Sequence, residues 1–363
     1  TRPSSPSCRS ERYCVAQAPG LSASLGAYQQ AYETALQQLD GSEFQQRLLE
    51  KDPSLWQGDQ DAISNRLGWL TIAETMAAHA DELHAFGDDV RESGLARVVL
   101  LGMGGSSLAP EVISETLGTT GGNPSLTLLD TTDPATIRAV EKTLDLERTL
   151  FIVSSKSGTT IETASLYRYF AQRVAASRGD DDAVLDNFVA ITDPGTTLEK
   201  QARNAGFRYV FTNPPDVGGR FSALSYFGLA PASAIGVDAG RLLDSARSLD
   251  VRSAVELGAM LAALAAAGRD KVTFFASPSL RGFGGWAEQL LAESTGKRGK
   301  GLIPVDLEPI GAPEAYGDDR VFVHLQLAGE PGFDGQLRSL ENAGHPVISI
   351  TLADGYELGG EFL

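Results

Sequence analysis

From residue 97 onward the chain alternates short, continuous apolar runs with segments of helical spacing. Arg97–Gly102 reads as a strand ending in glycine, followed by a helix from Pro110. Ser125–Leu129 is a second strand, and Thr132-Asp133-Pro134 opens a helix to about Leu144. Leu150–Ser154 leads into a hydroxyl-rich turn and a helix over 161–176. Asn187–Thr192 and Arg208–Phe211 complete five strands, with Thr196-Thr-Leu-Glu199 between them as a capping box. Continuous apolar strands separated by helices predict a parallel, doubly wound sheet. Helical spacing over Leu242–Gly268 then joins a second unit of the same rhythm. Its strands are Val272–Ala276, Val321–Leu327 and Pro346–Leu352, and its helices are Gly284–Ser294 and a segment near 337–343. Upstream, Leu25, Tyr28, Tyr32, Ala35, Leu36 and Leu39 hold helical spacing, as do Phe44–Leu49 and Asn65–His84 around the Asp52-Pro53 stop. The expected fold class is α/β, with two doubly wound parallel-sheet lobes, each a three-layer α/β/α sandwich, and an N-terminal helical wrapper. The expected divisions are a disordered tail over 1–20, the wrapper over 21–94, a first lobe over 95–240 and a second over 241–363. That second lobe is expected to be incomplete at its C-terminal end.

Composition narrows the function. The chain has 363 residues, 42% of them hydrophobic, enough for a substantial core. Thirty basic against 47 acidic residues give a net charge of −17, which argues against nucleic acid or an anionic membrane surface as partner. The two cysteines, Cys8 and Cys14, lie in the polar tail and offer neither a disulfide framework nor metal-ligand spacing. The longest apolar stretch, Leu257–Gly268, falls short of the roughly 18 residues of a membrane span. Residues 1–20 lack the apolar core of a signal peptide, so a cytoplasmic piece of a longer protein is expected. His79, His84, His324 and His345 have no metal-like neighbours in sequence and read as structural.

Three constellations carry chemistry. Residues 152–163, Ile-Val-Ser-Ser-Lys-Ser-Gly-Thr-Thr-Ile-Glu-Thr, run from an apolar strand through hydroxyls into a helix. Helix N-terminal N–H groups and the macrodipole favour an anion there. Ser154, Ser155, Ser157, Thr159 and Thr160 can add hydroxyl donors, and Gly158 permits close backbone approach. A single helix cap explains one or two of these hydroxyls, not five, so a phosphate is the expected ligand. Gly102-Met-Gly-Gly-Ser-Ser107 follows the first strand and suits phosphate or sugar hydroxyls. A dinucleotide fingerprint would need Gly or Ala at 107; Asp130 sits where a ribose-binding acid would, but that reading gives the hydroxyl turn no role. Gly218-Gly219-Arg220 follows Asn213-Pro-Pro-Asp216 and can hold a guanidinium close to a ligand.

The helix Gly284–Ser294 is resolved at about 100° per residue. Taking Leu290 as zero, Phe283, Trp286, Ala287 and Leu291 span about −40° to +100°, the buried stripe. Glu293 falls near about −60° and Gln289 near about −100°, both on one margin, while Glu288 faces solvent at about 160°. A carboxylate at that margin is expected to be partly desolvated and a better base. Thr295-Gly296-Lys297 is expected to end the helix with a glycine C-cap.

Taken together, Leu101–Pro110, Ser155–Thr163, Val217–Ser225 and Glu288–Lys297 resemble, in order, the signature segments of the phosphoglucose isomerase family, built from two sugar-isomerase (SIS) domains. Arg47–Trp56 and Asn65–Leu70 are similar to the isomerase half of bacterial bifunctional transaldolase/phosphoglucose isomerases. The resemblance implies SIS-type lobes and interconversion of D-glucose 6-phosphate and D-fructose 6-phosphate, in glycolysis and gluconeogenesis, without metal or cofactor. It assigns Glu293 as the base moving a proton between C2 and C1, and Arg220 as the cation stabilising a cis-enediolate. Gly105, Ser106 and Gln289 match substrate-contacting positions. Ser155, Lys156, Ser157, Thr159 and Thr160 match the phosphate loop, Lys156 mainly through its backbone N–H. It further implies a hexose 6-phosphate as partner, a homodimer, and a fused transaldolase in the full-length protein; no transaldolase barrel lies in this chain. Family members continue into a segment like Phe-Asp-Gln-x-x-Val-x-x-x-Lys, whose Lys helps open the sugar ring, and supply a further ring-opening acid. Neither appears before Leu363, so the chain is expected to keep the phosphate site and base without the ring-opening groups. A second reading is a non-catalytic sugar-phosphate-binding SIS module, which has no need of Glu293 and Arg220. A third, a nicotinamide-dependent dehydrogenase, rests on the glycine loop and the placement of Asp130.

Overall fold

A computed structural model describes residues 20–178 and 183–363. The expectations for the tail over 1–19, with Cys8 and Cys14, lie outside the described residues. The strands are β1 (Leu21–Ser24), β2 (Arg97–Leu101), β3 (Ser125–Leu129), β4 (Thr149–Ser154), β5 (Phe188–Thr192), β6 (Tyr209–Thr212), β7 (Lys271–Ala276), β8 (Ile303–Val305), β9 (Arg320–Leu327) and β10 (Val347–Leu352). They form two five-stranded sheets in two compact units. Of the described residues, those within 46–249, 279–290 and 354–363 form the larger unit, and 20–45, 250–278 and 291–353 the smaller.

The larger unit's sheet runs β3-β2-β4-β5-β6, and every pairing is parallel. Its central strands are buried along their whole length, which is why they read as unbroken apolar runs rather than alternating ones. On one face Val99, Phe151, Val153, Phe188 and Ala190 pack under Leu166, Phe170 and Val174 of the helix Ile161–Arg178. Phe151 stacks on Phe170 at 4.7 Å and on Phe188 at 5.3 Å. Against the sheet also lies the helix Tyr226–Ala234, buried throughout, with Ala80–Glu92 and Leu108–Leu117 packed on it. The C-terminal ends of parallel strands are where such sheets bind ligands. Here they deliver the turns at 102–107, 154–160, 193–196 and 213–222.

The smaller unit's sheet runs β1-β10-β9-β7-β8, with β1 antiparallel to β10 and the rest parallel. Phe275, Phe322, Leu337, Leu340 and Val347 form its core. The helices Gln29–Gly41 and Val251–Ala266 pack together, and Arg252 joins them by pairing with Asp40 and with Glu256.

Three expectations change. Leu21–Ser24 is a strand rather than part of a helical wrapper, because its N–H and C=O groups complete the edge of β10. The helical stretch 242–268 is two helices, Ala239–Arg247 and Val251–Ala266, broken where the Asp250 carboxylate accepts from the Arg252 N–H at 3.1 Å. β8 carried no sequence signal: it is three residues long, and Pro304 within it is tolerated because β8 is an edge.

Candidate active site

The turn after β4 is tied down before any ligand arrives. Ser155 donates its N–H to Ile191 O at 3.0 Å, and Gly158 donates back to Ser155 O at 3.2 Å. The Ser155 and Thr160 hydroxyls lie 2.9 Å apart across the turn. The Ser157 hydroxyl accepts from the Thr159 N–H at 3.2 Å and from the Thr159 hydroxyl at 3.0 Å. Gly158 has φ +67°, and a Cβ there would stand 2.8 Å from Thr196 Cβ, so both conformation and space require glycine. The helix Ile161–Arg178 begins immediately afterwards, and its first-turn N–H groups have no acceptor within the helix. Ser155 is 3% exposed, whereas Ser157 and Thr159 are open to solvent. Ser154 departs from its expected role as a donor to ligand: it is fully buried, and its hydroxyl donates to Ser106 O at 3.4 Å.

Lys156 and Asp193 form an ion pair beneath this turn. Asp193 also donates its N–H to Lys156 O at 3.2 Å. Burial pushes the Asp193 carboxyl above the usual carboxylate range, with Lys156 and Arg66 pulling it back down. The Lys156 ammonium is thus engaged by a carboxylate, and the other donors of the turn are N–H groups and hydroxyls. Thr192 braces the same carbonyl at 3.4 Å and meets Thr196 at 2.9 Å. Thr196 caps its helix by accepting from the Glu199 N–H at 3.1 Å, as the capping box predicts. Sequence reading passed over Asp193. Its one signal was an acid directly after the C-terminal end of a buried strand.

The glycine turn 102–107 is the hub of the larger unit's site. A Cβ on Gly102 would touch Ser154 Cβ at 3.3 Å, and one on Gly104 would meet Gln289 Nε2 at 2.9 Å. One on Gly105 would lie 2.3 Å from Gly219 O, so the backbones of the 102–107 and 218–220 turns are in direct contact. The Ser222 hydroxyl lies 2.7 Å from Gly219 O and 3.3 Å from Gly105 O, closing that contact. Arg220 sits in the single turn Gly219–Phe221, its guanidinium carbon 5.7 Å from the Phe221 ring centre. Gly105, Ser106, Arg220, Gln289 and the five phosphate-turn residues therefore converge in one unit.

The helix carrying the last two site residues runs Phe283–Thr295. Phe283, Trp286 and Ala287 are buried and Glu288 is exposed, as the periodicity predicts. Gln289 is half-buried and belongs to the larger unit; Glu293, one turn on, belongs to the smaller. Glu293 is exposed rather than half-covered, because the buried stripe ends after Ala287 and Leu290 and Leu291 are only partly covered. The helix also ends differently from expectation. Gly296 is not left-handed; the last carbonyls are met instead by Lys297 Nζ, which donates to Glu293 O at 2.8 Å and Ser294 O at 3.1 Å. Among the described residues no group of three or more His, Cys, Asp or Glu side chains could hold a metal ion, and no helix is long and apolar enough to cross a membrane.

The chain is similar to known proteins. The family model described as phosphoglucose isomerase matches residues 73–268. A glucose-6-phosphate isomerase of Campylobacter jejuni is 30% identical over 278 residues, 75% of this chain and 66% of that protein. One of Rubrobacter xylanophilus is 30% identical over 328 residues, 82% of this chain and 74% of that protein. The chain thus spans about two thirds to three quarters of the length of these relatives. In fold, a hypothetical protein of Thermus thermophilus superposes with a TM-score of 0.76 at 23% identity, over 94% of this chain and 91% of that one. The matched segment carries the glycine turn, the hydroxyl turn and the Arg220 turn on one parallel sheet, and the chain belongs to the phosphoglucose isomerase family.

Proposed function

We propose that this chain is an aldose–ketose isomerase that interconverts D-glucose 6-phosphate and D-fructose 6-phosphate through a cis-enediolate. The observation that carries the reading is the convergence of an N–H and hydroxyl turn, Ser155–Thr160, with a guanidinium turn through one glycine hub. In this reading the monoester sits over Ser155, Lys156, Ser157, Thr159 and Thr160, where oriented dipoles favour a dianion. Gly105, Ser106 and Gln289 contact the sugar. Arg220 stabilises negative charge as it develops on the C1 and C2 oxygens, the point at which a fixed cation contributes most. Glu293 takes the proton from one carbon and returns it to the other. A homodimer, a transaldolase fused in the full-length protein and a cytoplasmic location belong to the same reading. They are tested by the mass of the protein in solution, the flanking gene sequence and cell fractionation.

Glu293→Gln separates this reading from a sugar-phosphate-binding module. Deuterium exchange from solvent into fructose 6-phosphate should fall by about 10²–10⁴-fold. Calorimetric binding of fructose 6-phosphate should stay within about threefold, less than 1 kcal/mol. Equal loss of both would show that Glu293 holds the ligand or the fold rather than moving a proton.

A further inference from the structure

The segment 65–71 shaped the resemblance only as sequence wording, yet it is bound to the turn that presents Arg220. Leu67 pairs with Val217 in an isolated antiparallel bridge, and the Gly68 N–H donates to Asp216 O at 3.0 Å. There is no room for a side chain at 68: a Cβ would stand 2.3–2.5 Å from the Asp216 carboxylate atoms. Trp69 then stacks on Phe221, ring centres 5.3 Å apart and planes 19° from parallel. The Phe221 ring is the one over which the Arg220 guanidinium also lies. Lys51 holds the far end of the segment by donating to the Thr71 hydroxyl at 2.7 Å. All of these residues belong to the larger unit.

We propose that Trp69 is a positioning residue for Arg220. The Gly218–Ser222 turn is held from two sides. The glycine hub fixes one side of it at Gly219, and the flat face of Trp69 fixes the other at Phe221. Trp69 touches no substrate in this account. It limits where the adjoining Arg220 backbone can go, and displacement of a charge-stabilising group by about 1 Å costs up to about 10²-fold in rate. The proposal rests on the role given to Arg220 above.

The test uses the whole chain and has two readouts. In Trp69→Ala, amide hydrogen exchange over 216–222 should quicken by at least about tenfold while 155–160 is unchanged, and Trp69→Phe should restore protection. Turnover should fall about 10- to 100-fold with KM for fructose 6-phosphate within about twofold. In an Arg220→Lys background the same Trp69→Ala change should cost less than about threefold, because the two act as one unit. Unchanged exchange at 216–222, or a Trp69→Ala penalty of the same size with and without Arg220, would overturn the proposal. If the parent chain shows no isomerisation, the functional reading fails, and the exchange result alone still decides whether Trp69 holds the Arg220 turn.

Discussion

The turns after β4 and after β9 begin alike and end as opposites. Each follows an interior strand whose neighbours are parallel to it, each contains a left-handed glycine (Gly158 and Gly329), and each enters a helix. After β4 the polar groups are hydroxyls that pair with one another, which leaves Ser157 and one of Ser155 and Thr160 with a proton to donate. After β9 the sequence is Ala-Gly-Glu-Pro-Gly-Phe, and the turn is filled from within. The Gln326 amide donates to Leu327 O at 2.6 Å and Glu330 O at 3.0 Å, and Asp334 occupies the first helical turn. The nearby His324 is buried, and that burial pushes its imidazole below the ordinary range, so it supplies no cation at neutral pH. A helix N-terminus therefore does not make a phosphate site by itself. In the proposed reading the donor chemistry of the preceding residues decides, and of these two turns the one after β4 has it.

The strongest attempt to break this contrast removes the donors. Ser155→Ala combined with Thr160→Val should raise KM for fructose 6-phosphate by at least about 100-fold, since each hydrogen bond to a charged group contributes about 1.5–3 kcal/mol. The corresponding change in the other turn, Gln326→Ala, should leave KM unchanged in steady-state assays. Next come the two glycines. Gly158→Ala meets both an unfavourable φ and the Thr196 side chain, so KM should rise about tenfold and stability should drop by about 2 kcal/mol. Gly329 has the same φ requirement with nothing within 4 Å, so Gly329→Ala should cost about 1 kcal/mol in chemical denaturation and nothing in KM. Equal effects would mean that backbone conformation alone distinguishes the turns.

The last comparison, which leaves KM untouched, is of how carboxyls in the two units respond to pH. In the larger unit, burial, with Glu357 adding repulsion, raises Glu361 from 4.5 to about 7. The folded state then holds a proton the unfolded chain has released, so stability from this group is present below about pH 4.5 and is lost as pH rises towards 7. In the smaller unit, the Lys271 hydrogen bond holds Asp319 below its usual range, so its contribution is present above the ordinary carboxyl pKa and lost on acidification. Glu361→Gln should remove a decline of up to about 3 kcal/mol between pH 4.5 and 7, read from urea unfolding at a series of pH values. Asp319→Asn should flatten only the acid limb.

Much of this was legible in the chain. Strands with buried interiors announce themselves as largely apolar runs, so β2, β4, β5, β7 and β9 stood out. The hydroxyl run at 154–160 drew notice because five donors exceed what a helix cap needs, and the structure gathers four of them, Ser155, Ser157, Thr159 and Thr160, in one turn. Contacts across long sequence separations were not legible. Nothing local ties Trp69 to Phe221 or Asp193 to Lys156, and β1 is a strand only because β10 offers an edge. Ser154 shows the limit of reading by composition: its hydroxyl belongs to the same run but points into the fold. Glu293 shows the limit of periodicity, which assumes a buried stripe as long as its helix.

The most direct test of the central claim is a crystal structure of the chain with fructose 6-phosphate bound. The account predicts phosphate oxygens within hydrogen-bonding distance of backbone N–H groups and hydroxyls between Ser155 and Thr160, with Lys156 still paired to Asp193. A phosphate seated at the β9 turn, or held by the Lys156 ammonium after it has left Asp193, would contradict it.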